Sequence, residues 1–173
     1  MSVLGELQPN KVFKYFEEIC SIPHGSNNVK QISDYLVDFA KAHELKYRQD
    51  EDLNVIIWKD GSKGYEASEP VILQGHMDMV AVKEADCDKD VEKEGLDLEI
   101  NGDYISAKGT SLGGDDGIAV AYTLAVLDDE EMAHPPIEAI FTVNEEIGML
   151  GAATIDVSDL KGRLFMNLSL IHI

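Results

Sequence analysis

The run Val71-Ile72-Leu73-Gln74-Gly75-His76-Met77-Asp78-Met79-Val80 constrains the fold more than any other stretch of the chain. Its first residues are apolar and partly β-branched, the pattern of a buried strand. The run breaks at Gly75 into a His-x-Asp pair, so an apolar element delivers an imidazole and a carboxylate at its C-terminal end. Open α/β sheets build their sites at that end. A lone histidine there more often serves packing than chemistry. Two further stretches shift that balance. Gly113-Gly114-Asp115-Asp116-Gly117 and Asn144-Glu145-Glu146-Ile147-Gly148 are each an acidic cluster at the edge of an apolar segment. Three element ends are therefore expected to converge on one place.

Around this strand the chain alternates between helical and extended patterns. Val12, Phe13, Tyr15, Phe16 and Ile19 form one helical stripe that stops at Pro23-His24-Gly25. Ser26 and Asn27 offer N-caps for a second helix, whose buried face is Val29, Ile32, Leu36, Phe39 and Ala40. His43 falls in its last turn, where a cation suits the helix dipole, and reads as structural. His24 lies in the loop between the helices, open either to packing or to a contact on the substrate side. Strands are expected over 46–49, 53–59, 71–74, 104–107, 137–143 and 164–168, with a hairpin turn at Asn101-Gly102-Asp103. Residues 83–99 are charged and aperiodic, a surface excursion. Residues 118–127 are apolar nearly all round and rich in alanine, the pattern of a buried helix, and 148–155 suits a short one. This alternation predicts an α/β fold, a mostly parallel sheet flanked by helices, with no internal domain boundary.

Charge narrows the partners. With 33 acidic against 14 basic residues the formal net charge is -19, which argues against nucleic acid and anionic membranes, since both need a positive surface. No run approaches the length of a membrane span. The first residues lack the basic start and apolar stretch of a signal peptide, so a cytoplasmic location is expected. Cys20 and Cys87 provide neither a disulfide framework nor a Cys-x-x-Cys metal knuckle, and Cys20 continues the apolar face of the first helix.

A glycine-rich turn opening a helix invites a phosphate-loop reading of 113–117. The spacing lacks Gly-x-Gly-x-x-Gly and any Gly-Lys-Ser/Thr, and two aspartates would repel phosphate. An EF-hand is excluded by the absence of an Asp-x-Asp-x-Asp-Gly run. Two carboxylates among glycines suit a cation better. Imidazole nitrogen and carboxylate oxygens arriving from separate strand ends form a mixed ligand set typical of zinc, manganese or cobalt. Asp78 is placed to hold the His76 ring in its metal-binding tautomer. Of the adjacent Glu145 and Glu146, one can ligate while the other takes a proton from water, the toolkit of peptide or amide hydrolysis without a serine or cysteine nucleophile.

Together the stretches 75–80, 109–117 and 145–149 resemble the aminoacyl-histidine dipeptidases, cytosolic two-zinc enzymes of the larger aminoacylase and carboxypeptidase-G superfamily. Ser21-Ile22-Pro23-His24 and the first two helices are similar as well, so the resemblance spans nearly the whole chain. It implies hydrolysis of dipeptides of Xaa-His type by a water activated between two divalent metal ions, zinc first, with cobalt and manganese as alternatives. It also implies residue roles: His76 ligates one metal, Asp115 bridges both, Glu146 ligates the second, Glu145 is the general base and Asp78 braces His76. Met77, Asp116 and Asn144 receive no role. The family is longer, with a lid and dimerisation domain, a distal histidine ligand, and an aspartate ligand at the position of Ser169. The chain is therefore expected to be the N-terminal part of such a catalytic domain, cut short and inactive alone, the full-length form being a homodimer. His172 lies at the wrong place in the order to replace the distal ligand. The competing reading is a non-catalytic metal-binding or interaction fragment.

Overall fold

The computed structural model describes residues 2–168. Helices α1 (Asn10–Cys20) and α2 (Lys30–Ala42) precede strands β1 (Lys46–Gln49), β2 (Val55–Lys59) and β3 (Val71–His76). A hairpin of β4 (Leu98–Asn101) and β5 (Tyr104–Ala107) leads into α3 (Gly114–Leu127). Strand β6 (Ile137–Thr142), the short helix α4 (Leu150–Thr154) and strand β7 (Leu164–Asn167) follow.

Five strands form one sheet in the order β1-β2-β6-β3-β7. Strand β3 runs parallel to both β6 and β7, whereas β2 is antiparallel to β1 and β6. Four strands thus share a direction and β2 alone is reversed, so the sheet is mostly parallel, as expected. Strand β6 is buried at every position, consistent with its apolar run at the centre of the sheet.

The pleat sorts side chains between two faces. Leu73, Ala139 and Phe141 join the main core with α1, α2 and α3. Ile56, Ile72 and Ile140 form a smaller cluster on the other face, against Trp58, Ile155 and Leu160. Val12, Tyr15, Phe16 and Ile19 of α1 are all buried, as their helical spacing demands. Helix α3 touches α1 on one side and β3 and β6 on the other. Ala119, Ala121 and Ala125 keep α3 thin enough to lie between these layers.

Several local expectations need correction. Helix α2 starts at Lys30, and neither Ser26 nor Asn27 caps it: its N-cap is Val29, without a side-chain cap. Strand β2 starts at Val55 rather than 53, because Leu53 takes a positive φ of 73° and Asp50 binds both the backbone N–H and the side-chain amide of Asn54. Residues 83–99 are not wholly irregular, since Lys83 bridges Thr110 and Leu98 begins β4. Helix α3 begins at Gly114, ahead of its apolar stretch. The structural reading of His43 holds, for its ring packs on Phe39 with centroids 4.3 Å apart and lies 3.5 Å from Asp128. His24 resolves toward packing: it is buried, and Nδ1 donates to the Ile22 carbonyl at 2.6 Å.

Gly151 shows how tightly the end of β6 is built. A Cβ there would collide with Asn54 Oδ1 and would lie 2.6 Å from the Val143 carbonyl oxygen. Gly151→Ala is expected to cost about 1–3 kcal/mol, the usual range for overpacking, measured by urea denaturation. The exposed side chains of β7, with Leu164 at 59% and Met166 at 46%, are an association hazard on an edge strand. Replacing both by Lys is expected to lower concentration-dependent association of the 173-residue chain in light scattering and to leave its unfolding midpoint nearly unchanged.

Candidate metal centre

The site begins where β3 ends. His76 is 1% exposed, and the residue before it must be small: a Cβ on Gly75 would lie 2.9 Å from Asp116 Oδ2 and 3.1 Å from the Ala119 Cβ. Bare backbone at Gly75 lets β3 close on the start of α3, where Asp116 Oδ2 accepts the His76 N–H at 3.1 Å. Asp115 and Asp116 are joined by a cis peptide, and neither has helical dihedrals. Asp116 is turned inward and buried, while Asp115 keeps 41% of its side chain exposed and places Oδ1 3.2 Å from His76 Nε2.

The other face of the imidazole fixes its tautomer. Nδ1 lies 2.9 Å from the Asp78 carbonyl oxygen, which can only accept, so Nδ1 carries the hydrogen. In the neutral ring Nε2 is then a lone pair, and it faces Asp115 Oδ1 and, at 3.8 Å, Glu145 Oε2. A lone pair among carboxylates calls for positive charge between them, a proton or a metal.

Asp78 does more than face the ring. Its carboxylate lies 3.5 Å from His76 Nδ1, farther than its own backbone oxygen, so the closest brace of the ring is the main chain. The carboxylate's shorter bonds run elsewhere: it accepts from Ser26 Oγ at 2.8 Å and from the Glu145 N–H at 3.0 Å, with the Glu146 N–H at 3.4 Å. Asp78 thus ties the end of β3 to the turn after β6. Burial would raise its pKa, but bonding to His76, the Glu145 N–H and Ser26 holds it below the usual aspartate value. Burial would lower His76, yet Asp78 and the Asp116 charge outweigh it and push the ring up to about 9. Asp116 is pushed up to about 7, chiefly by burial and against the pull of His76. Glu146 is raised by burial and by the Asp115 and Glu145 charges, against the pull of His76.

Of the sequence-derived candidates, the structure brings Asp115 to His76 on one side and Glu145 and Glu146 to it on another, with Asp78 hydrogen-bonded to the Glu145 N–H. His76, Asp115 and Asp116 offer donor atoms within 4.8 Å of one another, and so do His76, Glu145 and Glu146. The buried Asp116 Oδ1 has no hydrogen-bond partner. Imidazole nitrogen with carboxylate oxygens is a donor set that fits a divalent cation such as zinc or manganese. Ser169 and His172 lie outside the described residues. Beside the cluster, on the face of the sheet away from α3, a largely apolar cavity of about 270 Å³ is lined by Gln74, His76, Ile140, Thr142, Glu145 and Phe165 among others.

Asp116 and Ser26 were missed by sequence reasoning. Nothing in a pattern reveals that an aspartate will accept a backbone N–H from a strand forty residues away. The signal at Ser26 was visible but pointed to the wrong use, since a serine ahead of a helix reads first as a cap.

No protein-family model matches the chain. The cytosol non-specific dipeptidase of Escherichia coli (strain K12) is 39% identical over 167 residues, covering 96% of this chain and 34% of that protein. The uncharacterised protein YqjE of Bacillus subtilis (strain 168) is 33% identical over 100 residues, 56% of this chain and 24% of its own. Among solved structures, an aminoacylhistidine dipeptidase from Vibrio alginolyticus superposes with a TM-score of 0.91 at 39% identity, over 95% of this chain and 34% of the other. A tripeptidase from Staphylococcus aureus, at 23% identity and a TM-score of 0.77 over 95% of this chain and 44% of its own, shares the fold. The chain spans about a third of the length of the Escherichia coli and Vibrio relatives.

Asp116 yields a pH test. Its folded pKa of about 7 stands above the ordinary 3.8, so the folded protein holds a proton that the unfolded chain releases. The stability this contributes is complete below about pH 4 and is lost as pH rises through about 7. Asp116→Asn keeps an oxygen for the His76 N–H and removes the titration. In chelator-treated protein its advantage over the parent is expected to grow from pH 5 to pH 8 in urea denaturation.

Proposed function

We propose, since this chain belongs to the aminoacyl-histidine dipeptidase family across the third of its relatives' length that it spans, that it supplies the general base and much of the ligand set for metal-dependent hydrolysis of dipeptides. The observation that supports this reading is a histidine whose Nδ1 faces a backbone carbonyl and whose Nε2 faces Asp115 and Glu145, with Glu146 in the same His76–Glu145 group. His76, Asp115 and Glu146 would hold two divalent ions, zinc by preference. Bound there, the ions would supply the positive charge that makes a water acidic and a peptide carbonyl electrophilic.

The chain's own residues do the rest. Glu145, with 35% of its side chain exposed, lines the cavity beside His76, 3.8 Å from its Nε2. An exposed carboxylate in that position takes a proton from the attacking water and returns it to the leaving amine. Asp78, bound to the Glu145 N–H, keeps that carboxylate facing the histidine. Dipeptide substrates are part of this reading, supported by the names of the Escherichia coli and Vibrio relatives, and the Xaa-His type by the name of the Vibrio one alone. A cytosolic location is part of it too, and no helix among the described residues is long and apolar enough to cross a membrane.

Zinc titration of the purified chain and two variants tests the assignment. His76→Ala is expected to weaken zinc binding at least tenfold, whereas Glu145→Gln is expected to retain it. In a form that turns over dipeptides, Glu145→Gln should lower kcat by about 10²–10⁴-fold, the usual loss for a positioned base. Equal zinc affinity in the parent and His76→Ala would overturn the site. Loss of zinc in Glu145→Gln would reverse the roles of the two glutamates.

A further inference from the structure

The loop between α1 and α2 does not cap a helix; it lies along the segment that follows β3. Met79 donates its N–H to the His24 carbonyl at 3.1 Å, Ser26 donates its N–H to the Met79 carbonyl at 3.2 Å, and Gly25 pairs with Met79 as a parallel bridge. This places two consecutive residues against the turn after β6. Ser26 Oγ donates to Asp78 Oδ2 at 2.8 Å. The Asn27 N–H donates to Asn144 Oδ1 at 2.7 Å, and Asn144, directly before Glu145, has a φ of 54°.

The two oxygens of Asp78 divide their work. Oδ1 receives the Glu145 N–H and lies nearest His76 Nδ1, while Oδ2 receives the Ser26 hydroxyl and the longer contact from Glu146. A buried carboxylate has no water to replace a lost donor, and without the hydroxyl nothing as short holds Oδ2. Among the described residues the Ser26 hydroxyl is hydrogen-bonded to Asp78 and not to the imidazole or the candidate ligand atoms, so its influence passes through Asp78.

We propose that Ser26 is a positioning residue of the metal centre, its hydroxyl orienting Asp78 so that the Glu145–Glu146 turn is held against His76. This rests on the dipeptidase reading above for its purpose, though not for its geometry. Asn27 and Asn144 clamp the same turn from the side.

The test compares the parent chain with Ser26→Ala and Ser26→Thr. Backbone hydrogen exchange is followed by NMR in chelator, and zinc affinity by competition with a chromophoric chelator. In Ser26→Ala, exchange at the Glu145 and Glu146 amides should quicken by roughly tenfold, the scale of a lost hydrogen bond to a charged group, and zinc should bind more weakly by a similar factor. The amides of Leu73 and Phe141 should stay as protected as in the parent. Ser26→Thr keeps the hydroxyl and should restore both properties. Unchanged exchange at Glu145 and Glu146 in Ser26→Ala would overturn the proposal. So would a loss of protection across the whole sheet that Ser26→Thr fails to repair, which marks a merely structural serine. A parent chain that takes no zinc would remove the dipeptidase reading, and the exchange arm alone would then decide the role of Ser26.

Discussion

Asp78 is a carboxylate with none of its side chain exposed, set where three distant stretches of chain meet. Burying an isolated charge is costly enough that a protein must pair it or neutralise it. Here it is paired from three directions: the serine between the first two helices, the imidazole at the end of β3, and the backbone of the turn after β6. No one of these segments can satisfy it alone. The charge therefore acts as a condition on assembly, and the first helical hairpin, β3 and β6 must be seated together before it is satisfied.

The surroundings of His76 obey the opposite logic. No salt bridge among the described residues brings a lysine or arginine to Asp115, Asp116, Glu145 or Glu146; the cations are spent on surface pairs such as Lys30–Asp34 and Lys93–Asp90. Such exposed pairs contribute little to stability. Negative charge near the imidazole is thus not balanced by lysine or arginine among these pairs, and burial of the ring is outweighed by Asp78 and the Asp116 charge, which push it up to about 9. Elsewhere the acidity of the chain is a property of its solvated surface. In this one place it has a direction.

Much of this was legible in the residues. The strands were readable because their apolar runs are short and bounded by turn residues, and α3 because an alanine-rich segment apolar on all sides has to be buried. That Asp115, Glu145 and Glu146 would come near His76 was readable because each stands at the boundary between an apolar element and a loop. The reversed direction of β2 was not, because the choice of pairing partner is made by contacts across the chain. Nor was the inward turn of Asp116, or the use of Ser26, whose hydroxyl meets Asp78, 52 positions further along the chain. Local pattern says where a polar side chain stands, and only the packed chain says what it touches. The same limit explains Asp78, whose nearness to His76 in sequence suggested one bond and concealed the stronger ones.

The pleat of β3 and β6 has a consequence for how substitutions combine. Leu73 and Phe141 point into the helical layer, while Gln74, His76 and Thr142 line the cavity on the opposite side. A one-residue slip would exchange the two sets, so chemistry and packing share a register although they share few atoms. Changes confined to opposite faces should therefore be close to additive in free energy. Gly75 breaks this independence, because the void where its side chain would stand is filled by the Asp116 carboxylate and Ala119. A lineage could remodel the helical core or the cavity wall separately, but at Gly75 any drift would alter both together.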